Sequence, residues 1–272
     1  MPARIHEYSK RAVRERERFL QAFHDAQPGI TSRGFARSGS YERLAARVPA
    51  GCVLDLGCGD GTLLRLLGPD AVGIDIARED IVRAKRTGTG GGGTGGGGTG
   101  GGARTGPGAG PAVLRARAQQ LPFADRSFDA AICHLAFMLF DDVECVVDEL
   151  ARVLRPDARF VALLGGGPTA DGHDAFHRFA SLLPRGDGFG VGDKRASSES
   201  GWHELFAGWR DISFERWPLD LGGTFDEVWT FLSSSYQLRD VDRERIRVEL
   251  RAAFPGERVP CMVATYCATA TR

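Results

Sequence analysis

Residues 53–64 read VLDLGCGDGTLL. Val53 to Leu56 is a short apolar run interrupted only by Asp55. Gly57, Gly59 and Gly61 follow at alternate positions, and Leu63-Leu64 opens a second apolar pattern. A buried strand, a glycine-rich turn and a helix are the expected order. The glycines permit a tight bend and a close approach of backbone to ligand. Asp55 stands at the mouth of that bend and Asp60 inside it. Thr62 occupies the place where a dinucleotide fingerprint requires its third glycine. A pyrophosphate would be repelled by these acids; a ligand with a cationic amine and a sulfonium would not.

Outward from this stretch, AVGIDIA (71–77) reads as a second strand ending at Asp75. A carboxylate at that tip can accept two hydrogen bonds from a ribose diol. REDIVRAKR is a helix, AVLRARA a third strand, SFDAAICHLAF a fourth, DDVECVVDELARVL a helix stopped by Pro156, and ARFVALLGGG a fifth strand. Alternating strands and helices, with apolar strands, predict an α/β protein whose parallel sheet is covered on both faces. Upstream, residues 3–25 form an amphipathic pattern ended by Pro28-Gly29, and Ser40 reads as the N-cap of YERLAARV. Beyond Gly165 the expectation is a helix in HDAFHRFASLL, a polar loop from Pro184 to Ser200, and a helix in GWHELFAGW. A strand in DISFERWPLDL, helices in FDEVWTFLSSSYQL and DRERIRVELRAAF, and a last strand in VPCMVATYCATA complete the chain.

Thr87 to Gly102 reads TGTGGGGTGGGGTGGG, which is linker composition. Two strand–helix units precede it and the third strand follows it, so it interrupts one domain. The insertion, 88–110, joins a helix to a strand. Ligands of open α/β sheets bind at the carboxyl ends of strands, so this segment is expected to hang away from the site. A tolerated low-complexity insertion and a tether for a partner are both open readings.

The chain has 272 residues, 42% of them hydrophobic, which allows a sizeable core. Lys+Arg and Asp+Glu are each 35, so no whole-chain grip on nucleic acid or an acidic membrane is indicated. RAVRERER (11–18) is a local basic run that also suits a solvated helix face. The six cysteines form no C-x-x-C pair and lie mostly in apolar runs, as expected of reduced, buried thiols in a cytoplasmic protein. No apolar h-region stands at the start and no apolar run approaches the ~18 residues of a membrane span.

VLDLGCGDG, GIDIA, LPFADRSFDAAICH and ELARVLRP, in this order, resemble the class I S-adenosylmethionine-dependent methyltransferases, in particular the small-molecule type called methyltransferase type 11 or UbiE-like. The resemblance covers roughly Gly51 to Leu164. It implies a Rossmann-like, doubly wound sheet of seven strands with strand seven antiparallel, supplied by VPCMVATYCATA. It implies one domain over 1–272: an N-terminal helical cap (1–49), a cofactor-binding core (50–164) interrupted at 88–110, and a C-terminal half (165–272). A strand 6–7 insertion in that half, with the N-terminal segment, would cap the substrate.

Carried over by motif, the resemblance implies that Asp55, Gly57, Cys58 and Gly59 hold the methionine part of S-adenosyl-L-methionine. Asp75 would take the ribose hydroxyls, Ile76 would pack on the adenine, and Ala118 and Gln119 would meet its edge. His134, at the end of strand four, would face the transferred methyl and is the candidate base. Two departures stand out: Arg117 occupies a place where the family often has an acid, and RVLRPDARF replaces its usual Pro-Gly-Gly. Tyr41 or Arg37, in GFARSGSY, would reach the methionine carboxylate. His173, Trp229 and Tyr236 are candidate substrate contacts. His173 and His177 lie four apart on one predicted helix face, but the signature of a metal site is absent, and no metal is expected.

The expected function is methyl transfer to oxygen, carbon or nitrogen of a small organic molecule, in secondary metabolism by one reading. An RNA methyltransferase, disfavoured by the neutral charge, and a non-catalytic cofactor-binding protein are the rivals. A NAD-binding oxidoreductase is disfavoured by the glycine spacing. Neither a nucleic-acid nor a membrane partner is expected, and the sequence leaves the oligomeric state open.

Overall fold

A computed structural model describes residues 15–88, 111–169, 172–184, 192–239 and 241–272. Helix α1 covers 15–26 and is followed by α2 (Ile30–Phe35) and α3 (Ser40–Ala45). The core then runs β1 (Val53–Leu56), α4 (Leu64–Leu67), β2 (Val72–Asp75), α5 (Arg78–Gly88), β3 (Ala112–Arg115), β4 (Phe128–His134), α6 (Val143–Val153) and β5 (Leu154–Pro168). The C-terminal half adds α7 (Ala175–Leu182), α8 (Glu199–Leu205), β6 (Arg210–Arg216), β7 (Leu219–Asp220), α9 (Phe225–Leu232), α10 (Arg243–Ala253) and β8 (Met262–Thr271).

The sheet order is β3-β2-β1-β4-β5-β8-β6, with β7 paired to β8. Strands β1 to β5 pair in parallel, and β8 runs antiparallel between β5 and β6. This is the expected doubly wound arrangement with one reversed strand. Side chains alternate across each strand. Val53, Ala130, Ile132, Val161 and Leu163 therefore face one apolar layer, with residues of α3, α7, α9 and α10. Leu54, Leu56, Ala131, Cys133, Phe160 and Ala162 face the other, with α6 and α8. Both faces are covered, as the apolar strands require.

The departures have local causes. DISFERWPLDL is two strands, because Pro218 has no N–H for the ladder. Helix α6 stops at Val153, not at Pro156; Pro156 and Asp157 (φ 65°) lie where the register of β5 against β4 slips. Ser40 is not an N-cap: Gly39, in the left-handed region, takes that place, and the Ser40 hydroxyl turns to His134. The polar stretch before Ser200 is not all loop. It contains a 3-10 turn at Lys194–Ser197 and the start of α8, capped by Ser198. The cysteines are free, but Cys145 is exposed and Cys52 half-buried, so the buried-thiol expectation fits four of six.

Residues 89–110, most of the glycine-rich insertion, lie outside the described residues. Its attachment points do not: α5 ends at Gly88 and β3 begins at Ala112, opposite Val72, the first residue of β2. The β3 start thus lies at the end of β2 away from Asp75, whereas beside Gly88 the Thr87 hydroxyl accepts from Arg65, which also donates to Asp60 O of the glycine turn.

Candidate functional site

The turn after β1 is held down by β2. Gly57 N and Cys58 N both donate to Ile74 O at 2.9 Å, and Gly59 N donates to Asp75 Oδ2 at 2.9 Å. Positive φ at Gly57, Gly59 and Gly61 makes this path possible. At Gly57 a Cβ would lie 2.4 Å from Ala136 Cβ, so the turn and the loop after β4 approach only because the side chain is absent. The first three amides of the turn are thus already committed. Asp60 takes the Thr62 amide and hydroxyl, and its other oxygen accepts from Ser32 of α2. A turn so furnished is a poor phosphate cradle.

Asp55 and Asp75 sit on adjacent strands, with Asp55 in register with Gly73. Asp75 Oδ1 accepts from Ala77 N at 2.8 Å, so backbone amides fix both of its oxygens and leave lone pairs for a ligand. Asp55 is 1% exposed, and neither of its oxygens has a partner in the protein. Burial, reinforced by the charge of Asp75, pushes its carboxyl up to about 8. Burial also pushes Asp75 upward, against the hydrogen bond from Ala77. A buried carboxyl without a partner is costly unless a ligand supplies donors. A cationic amine at this place meets that need.

Two clefts meet at these acids, and a third adjoins the second through Leu135, Leu139 and Tyr236. The first, of about 710 Å³, is lined by Gly57, Asp75, Ile76, Ala118, Gln119 and Phe140, and by Leu20 and His24 of α1. The second, of about 560 Å³, is lined by Asp55, Cys58, Gly59, Asp75, Tyr41, His134 and Tyr236. The third, of about 1300 Å³, is mostly aromatic and aliphatic: Phe35, Leu135, Met138, Phe176, Phe179 and Phe231, with Tyr236 at its border with the second. An adenosyl group suits the first cleft, an amino-acid tail the second and an apolar molecule the third.

The fold therefore brings Asp55, Gly57, Cys58, Gly59, Asp75, Ile76, Ala118, Gln119, His134, Tyr41 and Tyr236 to one continuous depression. His134 is held differently from a poised base. Its ring stacks on Tyr41 (centroids 3.9 Å apart, 15° between planes), meets Phe35 edge-on, and places Nε2 2.8 Å from Ser40 Oγ. Burial depresses its pKa to about 3, so the imidazole at the wall of the second cleft is neutral. Two further expectations fall away from the depression. His173 is exposed and lines none of the three clefts, and Trp229 packs against the core outside them. Arg37 donates to the carbonyls of Leu221 and Gly222 instead of reaching a ligand.

In the first cleft, Gln119 Nε2 donates to Asp141 O at 2.6 Å. Arg117 is paired with Glu17 of α1, and Arg16 with Asp141. Glu17 and Asp141 both line the first cleft, each with its carboxylate paired to an arginine. Neither was legible in sequence, because one comes from the cap and one from the loop after β4. His24 was likewise missed. Its Nδ1 lies 3.2 Å from Asp80 Oδ2 and its Nε2 2.7 Å from Tyr236 Oη. Only amphipathic spacing marked its helix, and nothing marked the residue.

Among the described residues no group of three or more His, Cys, Asp or Glu is arranged to hold a metal ion. No helix there is long and apolar enough to cross a membrane.

Residues 54–162 match the family model described as "Methyltransferase domain". Over 122 residues the chain is 36% identical to nocamycin O-methyltransferase of Saccharothrix syringae, covering 43% of this chain and 38% of that protein. Over 108 residues it is 33% identical to the uncharacterized methyltransferase YcgJ of Bacillus subtilis, covering 38% of this chain and 40% of that protein. The matches thus span well under half the length of these curated relatives. The crystal structure of YcgJ superposes with a TM-score of 0.55 at 20% identity, over 86% of this chain and 97% of that one. A geranyl diphosphate methyltransferase solved in complex with SAM gives 0.50 at 16% identity, over 90% of each chain. At these identities the structural likeness speaks to the fold.

Proposed function

With residues 54–162 belonging to the methyltransferase-domain family as premise, we propose that the chain transfers a methyl group from S-adenosylmethionine to a small, largely apolar organic molecule. One observation carries this reading: the buried, partnerless carboxyl of Asp55 lies beside the amide-oriented carboxylate of Asp75, where an aromatic cleft adjoins. The residues fit the cofactor in kind. Asp55 offers an acceptor to an ammonium group, Asp75 offers lone pairs to a diol, and Ile76 and Phe140 offer apolar surface to a base. S-adenosylmethionine, when bound, supplies an electrophilic methyl on a sulfonium.

The chain's own task is then position and dryness. Leu135, Met138, Phe35 and Phe231 would hold an apolar acceptor and exclude water from the junction of the second and third clefts. Alignment of nucleophile and methyl at roughly 3–3.5 Å accounts for much of the acceleration such sites achieve. The relative named for O-methylation of nocamycin supports oxygen as the methylated atom.

Calorimetry with S-adenosylhomocysteine and with NAD tests the cofactor. Binding of the first and not the second is expected; the reverse would remove the proposal. Incubation of labelled S-adenosylmethionine with apolar phenols, alcohols and acids then tests transfer, and product-free cofactor binding would leave a sensor instead of an enzyme.

A further inference from the structure

Three elements remote in sequence converge on one line of hydrogen bonds. Asp80, in the first turn of α5, is 2% exposed; its Oδ1 accepts from Gly29 N at 2.7 Å and its Oδ2 faces His24 Nδ1 at 3.2 Å. His24 Nε2 meets Tyr236 Oη at 2.7 Å, and Tyr236 borders both the second cleft and the apolar third. Asp25 Oδ1 accepts from Glu79 N at 2.9 Å, which pins α1 to the start of α5 and fixes the imidazole in place.

The chemistry of the groups sets the direction of each bond. An ionised Asp80 only accepts, so Nδ1 of His24 must carry a proton. In the neutral ring Nε2 is then a lone pair, and the Tyr236 hydroxyl donates to it. The remaining lone pairs of the phenol oxygen are left for the cleft. Resting on the methyl-transfer reading above, we propose that Asp80, His24 and Tyr236 form a relay that accepts the proton of a substrate hydroxyl, with Tyr236 meeting the substrate and His24 and Asp80 as positioning residues.

The balance is simple. The oxygen lone pair of the acceptor forms the O–C bond, and the C–S bond pair returns to sulfur. The hydroxyl proton passes to Tyr236 Oη as the phenol's own proton passes to His24 Nε2. The imidazolium is left against Asp80. Burial pushes the Tyr236 phenol upward, which suits a group that passes a proton on instead of standing as an anion. For His24, burial works downward but is outweighed by the hydrogen bond to Asp80 and by the charges of Asp75, Asp80 and Asp25, so the ring is a stronger base than usual. The acceptor class that follows is a phenol or enol on an apolar body.

The test reads His24 by imidazole nitrogen NMR in the full chain with S-adenosylhomocysteine bound, using 4-nitrophenol as the probe. The neutral ring is expected to carry its proton on Nδ1. Saturating probe is expected to raise the titration midpoint of His24 by roughly one pH unit, a tenfold shift in its protonation equilibrium. That response should vanish in Tyr236→Phe, and Asp80→Asn should move the proton toward Nε2. A neutral ring protonated at Nε2 in the wild type overturns the relay, as does a midpoint indifferent to the probe or shifted equally in Tyr236→Phe. If Tyr236→Phe fails to fold, the wild-type tautomer and probe response still decide. Failure of the wild type to bind S-adenosylhomocysteine would instead strike the cofactor reading.

Discussion

Asp55 and Asp75 stand at the tips of adjacent parallel strands, and only Asp75 has hydrogen-bond partners in the protein. The two acids therefore offer a ligand different contacts. One carboxylate is oriented by backbone amides and open to hydroxyls, whereas the other is buried and waiting for donors.

Asp55 should make stability fall as pH rises. Its carboxyl is pushed from the ordinary ~3.9 up to about 8, so between these values the folded chain holds one proton more than the unfolded chain. The unfolding free energy then falls by up to ~1.4 kcal/mol per pH unit across that window. Asp55→Asn should flatten this component in urea unfolding of the ligand-free protein. Binding of S-adenosylhomocysteine below about pH 8 should release up to one proton, seen by calorimetry in two buffers. Equal pH slopes in wild type and variant would contradict this account.

His134 acts in the opposite sense. Its pKa falls from the ordinary ~6.5 to about 3 on folding. Its contribution is complete above pH ~6.5 and is lost as pH drops toward 3, where the unfolded chain binds the extra proton. His134→Gln should therefore reduce acid sensitivity while lowering stability at pH 7 by about 1–3 kcal/mol, since Ser40 and Tyr41 lose their partner. An unchanged acid midpoint would show that the imidazole titrates normally.

Asp75→Ala should weaken S-adenosylhomocysteine binding by ~1.5–3 kcal/mol, the range for hydrogen bonds to a charged group. It also frees the amides of Gly59 and Ala77, so a loosened turn should accompany the loss. Asp75→Asn keeps one acceptor and should lose less. Calorimetry on both variants separates acceptance by the carboxylate from mere turn geometry.

Gly57→Ala should cost about 2–4 kcal/mol of stability. An L-residue in the left-handed region is strained by ~1–2 kcal/mol, and the new methyl meets Ala136 at 2.4 Å. The paired change with Ala136→Gly should recover the steric part and not the backbone part. Full recovery would show that φ at this position is unstrained.

Replacing residues 89–110 by a linker of roughly six residues, a usual length for a helix-to-strand connection, should leave S-adenosylhomocysteine affinity within about twofold. The segment rejoins the sheet at Ala112, opposite Val72, the end of β2 away from Asp75. A tenfold loss would mean that the segment reaches the clefts.

The core of the fold was legible because β1, β2, β4 and β5 are short apolar runs separated by glycine turns or by amphipathic helices, a local pattern that reports burial on both faces. Asp55 and Asp75 were legible for the same reason: a charged residue at the tip of an apolar strand, next to glycines, has few structural uses. Pro218 and the slip at Pro156–Asp157 were misplaced because both concern register against a partner strand, which no local window contains.

The strand–turn–helix frame, and the pair of acids that a cationic, diol-bearing ligand would meet, could be read from the order of residues alone. The folded arrangement set what surrounds them. It packed His134 between Tyr41 and Phe35 instead of exposing it, left Tyr236 at the clefts but removed His173 and Trp229 from them, and brought in Glu17, Asp141 and His24. The physical reason is separation along the chain. The hydrogen bonds and ring contacts among α1, the start of α5 and the turn after α9 join residues up to 212 positions apart, and side-chain pairing at that range leaves no periodicity to read.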